Sequence, residues 1–285
     1  MPKTYNDIYI DARKKLRDSG IEAASLEARL IIAHASGKTM DLLLRDMGLY
    51  TSDSVAETVT EMVAKRLEGE PVAYITGNWE FYGMPITVTK DVLIPRNDTE
   101  VLVETAITAL KGRKMDARII DLCTGSGCIG CAIAKELPAT HIVLSDNSRA
   151  ALSVAKQNVL RNKLNPRVTC IELDALSSPP MMLGSFDMLT CNPPYIPKAD
   201  IEKLDSSVKD FEPLVALDGG EDGLMFYRAI LEKWHNVVRI GGLMIFEVGI
   251  GQAEEVMELM RDSGLSNVGS VKDTQGIDRV VFGNV

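Results

Sequence analysis

The chain is poor in the features on which several broad functions depend. No apolar run approaches the roughly 20 residues a helix needs to cross a bilayer, so no membrane-spanning helix is expected. The opening MPKTYNDIYIDARKK has no apolar central stretch of the kind a signal peptide carries, and the expected compartment is the cytoplasm. Histidine is scarce: His34, His141 and His235 stand at no metal-ligand or triad spacing. Positive charge is in deficit, with 31 Lys and Arg against 40 Asp and Glu, a net charge of −9. That balance argues against broad electrostatic adhesion to nucleic acid or anionic membrane, although a local basic patch can hide inside an acidic total. There are five cysteines, an odd number, and reduced thiols are expected. Cys123, Cys128 and Cys131 read C-x4-C-x2-C, which superficially matches a plant-type iron–sulfur spacing. The same stretch reads better as strand, glycine loop and helix, with Cys128 and Cys131 on the first helical turns. No metal is therefore expected.

The 285 residues, 46% hydrophobic and 25% charged, are enough for one large domain or two unequal ones with a real core. The first seventy residues read as helical. Thr4 and Asp7 form a capping box ahead of Ile8, Tyr9, Ala12 and Leu16. Ser25 is placed to cap a second helix through Leu26, Leu30, Ile31 and Ala33, and Ser54 with Glu57 to open another along Val59, Met62 and Val63. WEFYGMPITV (79–88) reads as a β-hairpin around Gly83-Met84-Pro85, and a helix carrying Val101, Leu102 and Ala106 follows. From about residue 116 strands alternate with helices: strands at 118–122, 141–146, 168–174, 186–192 and 241–249, and helices at 151–162, near 222–239 and at 253–264. Such alternation implies a parallel sheet covered on both faces. Two short terminal strands, near 267–272 and 279–283, suggest an antiparallel hairpin at one edge.

Asp121-Leu-Cys123-Thr124-Gly125-Ser126-Gly127-Cys-Ile-Gly130 stands at the carboxyl end of the first of these strands, where an open α/β sheet binds its cofactor. Gly125 and Gly127 permit a tight turn and close backbone approach. Asp146 ends the next strand, placed to accept hydrogen bonds from ribose hydroxyls. Gly125, Gly127 and Gly130 also match the dinucleotide fingerprint, which alone is weak. Asp121 tips the balance. A carboxylate there repels a pyrophosphate approaching the helix N-terminus and suits a ligand with an ammonium group and no phosphate, such as S-adenosylmethionine. A dinucleotide, or a turn serving only packing, stays open on the loop alone.

Asn192-Pro193-Pro194-Tyr195 follows the fourth strand, at the same edge of the sheet. Two prolines fix φ and remove two donors, leaving carbonyl acceptors on a stiff extended segment. The Asn192 side-chain oxygen and the Pro193 carbonyl can both accept from one NH2 group. That fixes the plane of the group and aims its lone pair, while the Tyr195 ring offers a face for stacking. Orientation must do much of the catalysis, because the lone pair of an amide or aniline-like nitrogen is conjugated. A polyproline turn is the competing structural reading. Glu247 in FEVG reads as a functional carboxylate or a loop anchor, and Asp218-Gly-Gly-Glu221-Asp222-Gly as a turn capping a helix.

With these motifs in order, the sequence resembles the HemK/PrmC family, the protein-(glutamine-N5) methyltransferases that modify class I peptide-chain release factors. The resemblance runs nearly end to end: GNWEFYGMPITVTKDVLIPRNDTEVLVE, DLCTGSGCIG, FDMLTCNPPYIP, FEPLVALDGGEDGLMFYRAI, FEVGIGQ and DRVVFG all resemble family segments. It implies a Rossmann-like, seven-stranded S-adenosylmethionine-dependent methyltransferase domain at 96–285, an N-terminal helical substrate-recognition domain at 1–73 and a β-hairpin connector at 74–95. It implies cofactor contacts from Cys123, Thr124, Gly125, Ser126, Gly127 and Asp146, with Asp174 and Ala175 beside the adenine. Asn192 would lie near both ligands, and Asn192, Pro193, Pro194 and Tyr195 would hold the glutamine of a Gly-Gly-Gln loop. Three departures stand out: Cys123 for the usual loop glycine, Asn97 for the second proline of PRPDTE, and the small Ala175. Rival substrates are a glutamine of a large-subunit ribosomal protein, and an exocyclic nitrogen of adenine or guanine in nucleic acid, since NPPY alone is shared with adenine-N6 DNA methyltransferases. A nucleic-acid enzyme usually carries a basic groove or added recognition domain, and the helical segment here is not conspicuously basic. A NAD-dependent oxidoreductase leaves NPPY unexplained.

Overall fold

The computed structural model describes residues 2–111 and 116–285. They fall into two compact units: Met1–Asn78 with Ser206–Phe211, and Trp79–Asp205 with Glu212–Val285.

The first unit is helical: α1 (Tyr5–Asp18), α2 (Ala24–Ser36), α3 (Met40–Arg45), α4 (Asp53–Leu67) and α5 (Val72–Thr76). The capping box at α1 is present, with Asp7 N–H donating to Thr4 Oγ1 at 3.1 Å and Thr4 N–H to Asp7 Oδ2 at 2.8 Å. Helices α1, α2 and α4 pack on one another and bury Ile8, Leu16, Ile31, Ile32, Val59 and Val63, each such side chain stabilising the fold by about 1.5–3 kcal/mol. Two caps differ from expectation. Ser25 lies inside the first turn of α2, whose cap is Ala23 with no side-chain bond. Helix α4 is capped by Ser52, because Ser52 has the extended backbone that a cap requires and accepts from Val55 N–H at 3.3 Å. Ser54 is already helical. The short helices α3 and α5, and the return of Ser206–Phe211 to this unit, carry no periodic signal long enough to read. Gly69, at φ +101°, makes room for that return: a Cβ there would meet the Phe211 ring at 3.2 Å.

The second unit begins with a hairpin, β1 (Asn78–Phe81) and β2 (Met84–Thr87). Its turn is Tyr82-Gly83, both at positive φ, one step earlier than the sequence suggests because Met84 is already in β2. Then follow α6 (Glu100–Leu110), β3 (Arg118–Leu122), α7 (Cys128–Glu136), β4 (His141–Asp146), α8 (Arg149–Arg161), β5 (Val168–Glu172), β6 (Phe186–Cys191), α9 (Met225–Trp234), β7 (Val238–Glu247), α10 (Ala253–Asp262), β8 (Ser266–Lys272) and β9 (Asp278–Asn284). The seven-stranded sheet runs β5-β4-β3-β6-β7-β9-β8. All pairings are parallel except those of β9, which is antiparallel to β7 and β8. The terminal hairpin lies at one edge as expected, and the last strand inserts beside β7, leaving β8 outermost. Strands β3 and β6 are buried almost throughout, as a sheet covered on both faces requires. From β3 the chain order runs outward through β4 and β5 on one side and through β6 and β7 on the other. The β3–β6 boundary is therefore the switch point, where the carboxyl ends of strands open a crevice for ligands.

Candidate active site

After β3 the chain turns sharply. Cys123, Gly125 and Gly127 all take positive φ, at 53°, 53° and 79°. Gly127 N–H closes the turn on Thr124 O at 2.8 Å, and Thr124 N–H ties it to Ser145 O at 2.9 Å. A Cβ on Gly130 would lie 2.2 Å from a Leu144 methyl, and one on Gly127 3.0 Å from the other. These two glycines therefore let α7 pack tightly on β4. A Cβ on Gly125 would meet nothing within 4 Å, so that glycine serves its backbone angle and leaves an open approach. Asp146 Oδ2 accepts from Gly125 N–H and Oδ1 from Ser148 N–H, each at 2.9 Å. The carboxylate thus braces the loop from β4 with lone pairs to spare, and burial raises its pKa. On α8, fully buried Asn158 donates to Ser126 O and Thr87 O, both at 2.9 Å, and accepts from Thr87 N–H at 2.7 Å.

Asp121 lies beneath this loop, completely buried. Thr190 Oγ1 donates to one carboxylate oxygen at 2.7 Å and the Thr124 hydroxyl to the other. Burial pushes its pKa up to about 6, and the two hydroxyls limit the rise. It is still largely ionised at neutral pH. It lies beneath the loop and the N-terminus of α7 and presents no oxygen at the surface. Asp174 and Ala175 sit past β5. Asp174 closes its own turn, accepting from Leu176 N–H at 2.9 Å and Ser177 Oγ at 2.8 Å. Buried Ala175 offers its carbonyl to Trp234 Nε1 at 3.0 Å, and Ser177 O shares that donor at 3.0 Å. The Ser126 hydroxyl is buried with no partner among the described residues. An orphan hydroxyl, an open glycine, a strand-end carboxylate and a buried anion fit a nucleoside with a ribose diol and a cationic tail. The same anion disfavours a pyrophosphate.

The second motif converges on the same place. Strand register pairs Leu122 with Cys191 and Cys191 with Phe246, so Asn192 emerges between the glycine loop and the end of β7. Pro193 and Pro194 are buried, while Asn192 and Tyr195 are half-buried. Ile196 N–H donates to Leu217 O at 3.0 Å, and Gly219 N–H to Ile196 O at 2.9 Å. Gln252 Nε2 donates to Tyr195 O at 2.9 Å. The acidic run beside it does more than turn. Asp222 accepts from Leu224 N–H at 3.1 Å and pairs with Arg228 at 2.6 Å, but α9 has no side-chain cap. Its glycines seat the Tyr195 segment: a Cβ on Gly219 would lie 2.8 Å from Tyr195 backbone atoms, and one on Gly223 2.3 Å from Tyr195 O.

Charged groups ring this segment. Arg279 bridges Asp98 at 2.9 Å and Asp273 at 3.0 Å. Arg96 pairs with buried Glu212, which also accepts from Ile94 N–H at 3.2 Å. Asn97 is exposed at the start of a short 3-10 turn ending at Thr99. Burial raises the Tyr195 hydroxyl and pushes Glu247 up to about 7. All five cysteines are free, Cys128 and Cys131 are buried on α7, and no metal-binding group occurs among the described residues.

The structure thus brings Asp121, the 123–127 loop, Asp146 and the 192–195 segment to one switch point, with Asp174 and Ala175 at the carboxyl side of neighbouring β5. Asn158, Thr190, Trp234 and Gln252 escape sequence reasoning, because nothing in local spacing marks a side chain that braces a distant loop.

Comparison with known proteins identifies the relatives of the chain. The PrmC N-terminal domain matches residues 7–77 and the methyltransferase small domain matches residues 97–206. A release factor glutamine methyltransferase of Geobacter sulfurreducens is 39% identical over 279 residues, 96% of this chain and 94% of the relative. One from Agrobacterium fabrum is 38% identical over 276 residues, 95% and 94% of the two chains. Among solved structures, the hMettl16 catalytic domain in complex with MAT2A 3'UTR hairpin 6 superposes with a TM-score of 0.57 at 18% identity, covering 79% of this chain and 82% of that one. That likeness is one of fold.

Proposed function

The chain belongs to the release factor glutamine methyltransferase family, and from that premise we propose that it transfers the methyl group of S-adenosyl-L-methionine to the side-chain amide nitrogen (N5) of the Gly-Gly-Gln glutamine in class I peptide-chain release factors. The observation that carries the reading is the meeting of the glycine loop and Asn192-Pro193-Pro194-Tyr195 at one switch point. Cys123, Thr124, Gly125, Ser126, Gly127 and Asp146 would hold the cofactor, with Asp174 and Ala175 beside the adenine and Asp121 supplying negative charge from below. The cofactor supplies an electrophilic sulfonium methyl.

The protein's share of the chemistry is orientation. Asn192 Oδ1 and Pro193 O accept the two hydrogens of the glutamine NH2, fixing its plane and stabilising the positive charge that develops on nitrogen. The Tyr195 ring stacks on the flat amide. The proton can leave as or after the methyl arrives, so no strong base is required before attack. Residues 1–73 are the proposed recognition domain for the folded factor, and the cytoplasm the proposed compartment. Incubation with labelled cofactor and intact release factors should label the glutamine. A short loop peptide should be labelled far less well, because it lacks the remote contacts that supply binding energy. Label on duplex DNA or ribosomal RNA and none on a release factor would overturn the proposal.

A further inference from the structure

An amide side chain can occupy a clamp in two orientations, oxygen outward or NH2 outward, and only the first accepts from a substrate NH2. The clamp proposed at Asn192 therefore needs a group behind it that tells the Asn192 oxygen from its nitrogen. The strand register supplies a candidate. Cys191 pairs with Phe246, so the next residues, Asn192 and Glu247, emerge side by side from adjacent parallel strands.

Glu247 is 3% exposed, and its Oε2 is buried with no partner among the described residues. The Thr99 hydroxyl and the Asn192 amide face its carboxylate and hold its pKa down against the rise that burial causes. Asn192 Nδ2 in turn donates to Thr99 Oγ1 at 3.4 Å. This is a directional chain. A carboxylate only accepts, so Thr99 must spend its single hydrogen on Glu247 and can offer Asn192 only a lone pair. The Asn192 nitrogen is thereby drawn inward and its oxygen turned out.

We propose that Glu247 is a positioning residue for methyl transfer, which acts with Thr99 to hold Asn192 in the one orientation that accepts the substrate amide. The proposal rests on the reading of Asn192 as the clamp. It also gives a reason to keep a buried carboxylate that has no cation bonded to it. Arg279, on β9 beside Glu247, is engaged by Asp98 and Asp273. The other titratable groups facing Glu247 are the hydroxyls of Tyr195 and Tyr227 and the Cys128 thiol. All three are pushed upward by burial and stay neutral through the physiological range. Tyr227 donates its own hydrogen to Glu247 backbone O at 2.8 Å, leaving the carboxylate to the chain described.

Protonation of Glu247 would allow its O–H to donate to Thr99 and reverse the chain. With the pKa raised to about 7 by burial, the ionised, orienting form is lost as pH falls through about 7. Turnover on a purified release factor should therefore rise between pH 6 and pH 8.

The test is Glu247→Gln, whose NH2 can donate to Thr99 at any pH. Its kcat should fall on the order of 10- to 100-fold, as misoriented reactants do, with little change in KM or in cofactor affinity by calorimetry. The step near pH 7 should vanish. Thr99→Val should lose a similar factor, and Thr99→Ser, which keeps the hydroxyl, should recover it relative to Val. This pair keeps the test open if Glu247→Gln does not fold. A Glu247→Gln enzyme within twofold of wild type, or one that is slower yet keeps the same pH step, overturns the proposal. So does a Thr99→Val enzyme of full activity. Asn192→Ala separates the two levels. If it turns over normally the clamp itself is wrong; if it is dead while Glu247→Gln is active, only the role of Glu247 fails.

Discussion

At residue 123, glycine should outperform alanine, the reverse of their usual order. Cys123 sits at φ +53°, where an L side chain costs roughly 1–2 kcal/mol that glycine avoids. Glycine carries its own penalty of about 0.5–1 kcal/mol through the greater freedom of its unfolded chain. The balance favours glycine over alanine by roughly 0.5–1 kcal/mol. Both substitutions lose the thiol, which packs half-buried against the core around Leu122, Cys191 and Phe246; that loss is about 1 kcal/mol. Cys123→Gly should therefore lie within about 0.5 kcal/mol of the wild type, and Cys123→Ala about 1 kcal/mol below it. Urea unfolding followed by tryptophan fluorescence reads this directly, since buried Trp234 reports on the same unit, and the midpoints compare cleanly where the slope is unchanged. An alanine variant as stable as the glycine variant would refute the claim that backbone strain is stored at this position.

Asp146→Ala should weaken S-adenosylmethionine binding by roughly 1.5–3 kcal/mol, the range for a charged hydrogen bond, and should also lower stability because Gly125 and Ser148 lose their acceptor. Calorimetry with unchanged affinity would remove Asp146 from the site. Gly223→Ala puts a Cβ 2.3 Å from Tyr195 O at φ +77°, so turnover should collapse while cofactor affinity survives; normal turnover would show that the glycine seat is not needed. Asp121 has a folded-state pKa of about 6 against an ordinary 3.8, so its contribution is fully present at low pH and is lost as pH rises through about 6. The unfolding free energy of Asp121→Asn relative to wild type should thus improve between pH 4 and pH 7, and a pH-independent difference would contradict the burial argument.

What could be read in advance was whatever repeats along the chain. The alternation of strands and helices after residue 116 is a periodic signal, and the seven-stranded sheet follows it closely. The Thr4–Asp7 capping box is a local signal and appears as expected. Ser54 failed as a cap because Ser52, two residues earlier, has the extended backbone that a cap requires, and Ser25 because α2 already begins at Ala24 behind Ala23, which makes no side-chain cap bond. The acidic run was legible as a turn. Its second task, seating Tyr195, depends on a segment some twenty residues away that only the folded sheet brings close. Glu247 belongs to the same class. A strand-end carboxylate has no meaning by spacing, and it acquires one when strand register sets it beside Asn192.

The substrate class is decided by what surrounds the clamp. On the proposed reading, Asn192 and Pro193 can accept from any planar NH2, so the pair alone does not separate an amide from a base. A base enzyme must neutralise phosphates with cations, and its affinity falls steeply with salt. It must also extract its target from the stack, at a cost of a few kcal/mol. The cations nearest this clamp are already committed, Arg279 to Asp98 and Asp273, and Arg96 to Glu212. The chain as a whole carries a net charge of −9. A glutamine on an exposed loop demands neither unstacking nor phosphate contacts. On the proposed reading it needs a stiffly oriented acceptor pair, which Asn192 and Pro193 supply from a segment stiffened by two buried prolines, with the buried Glu247 carboxylate beside it.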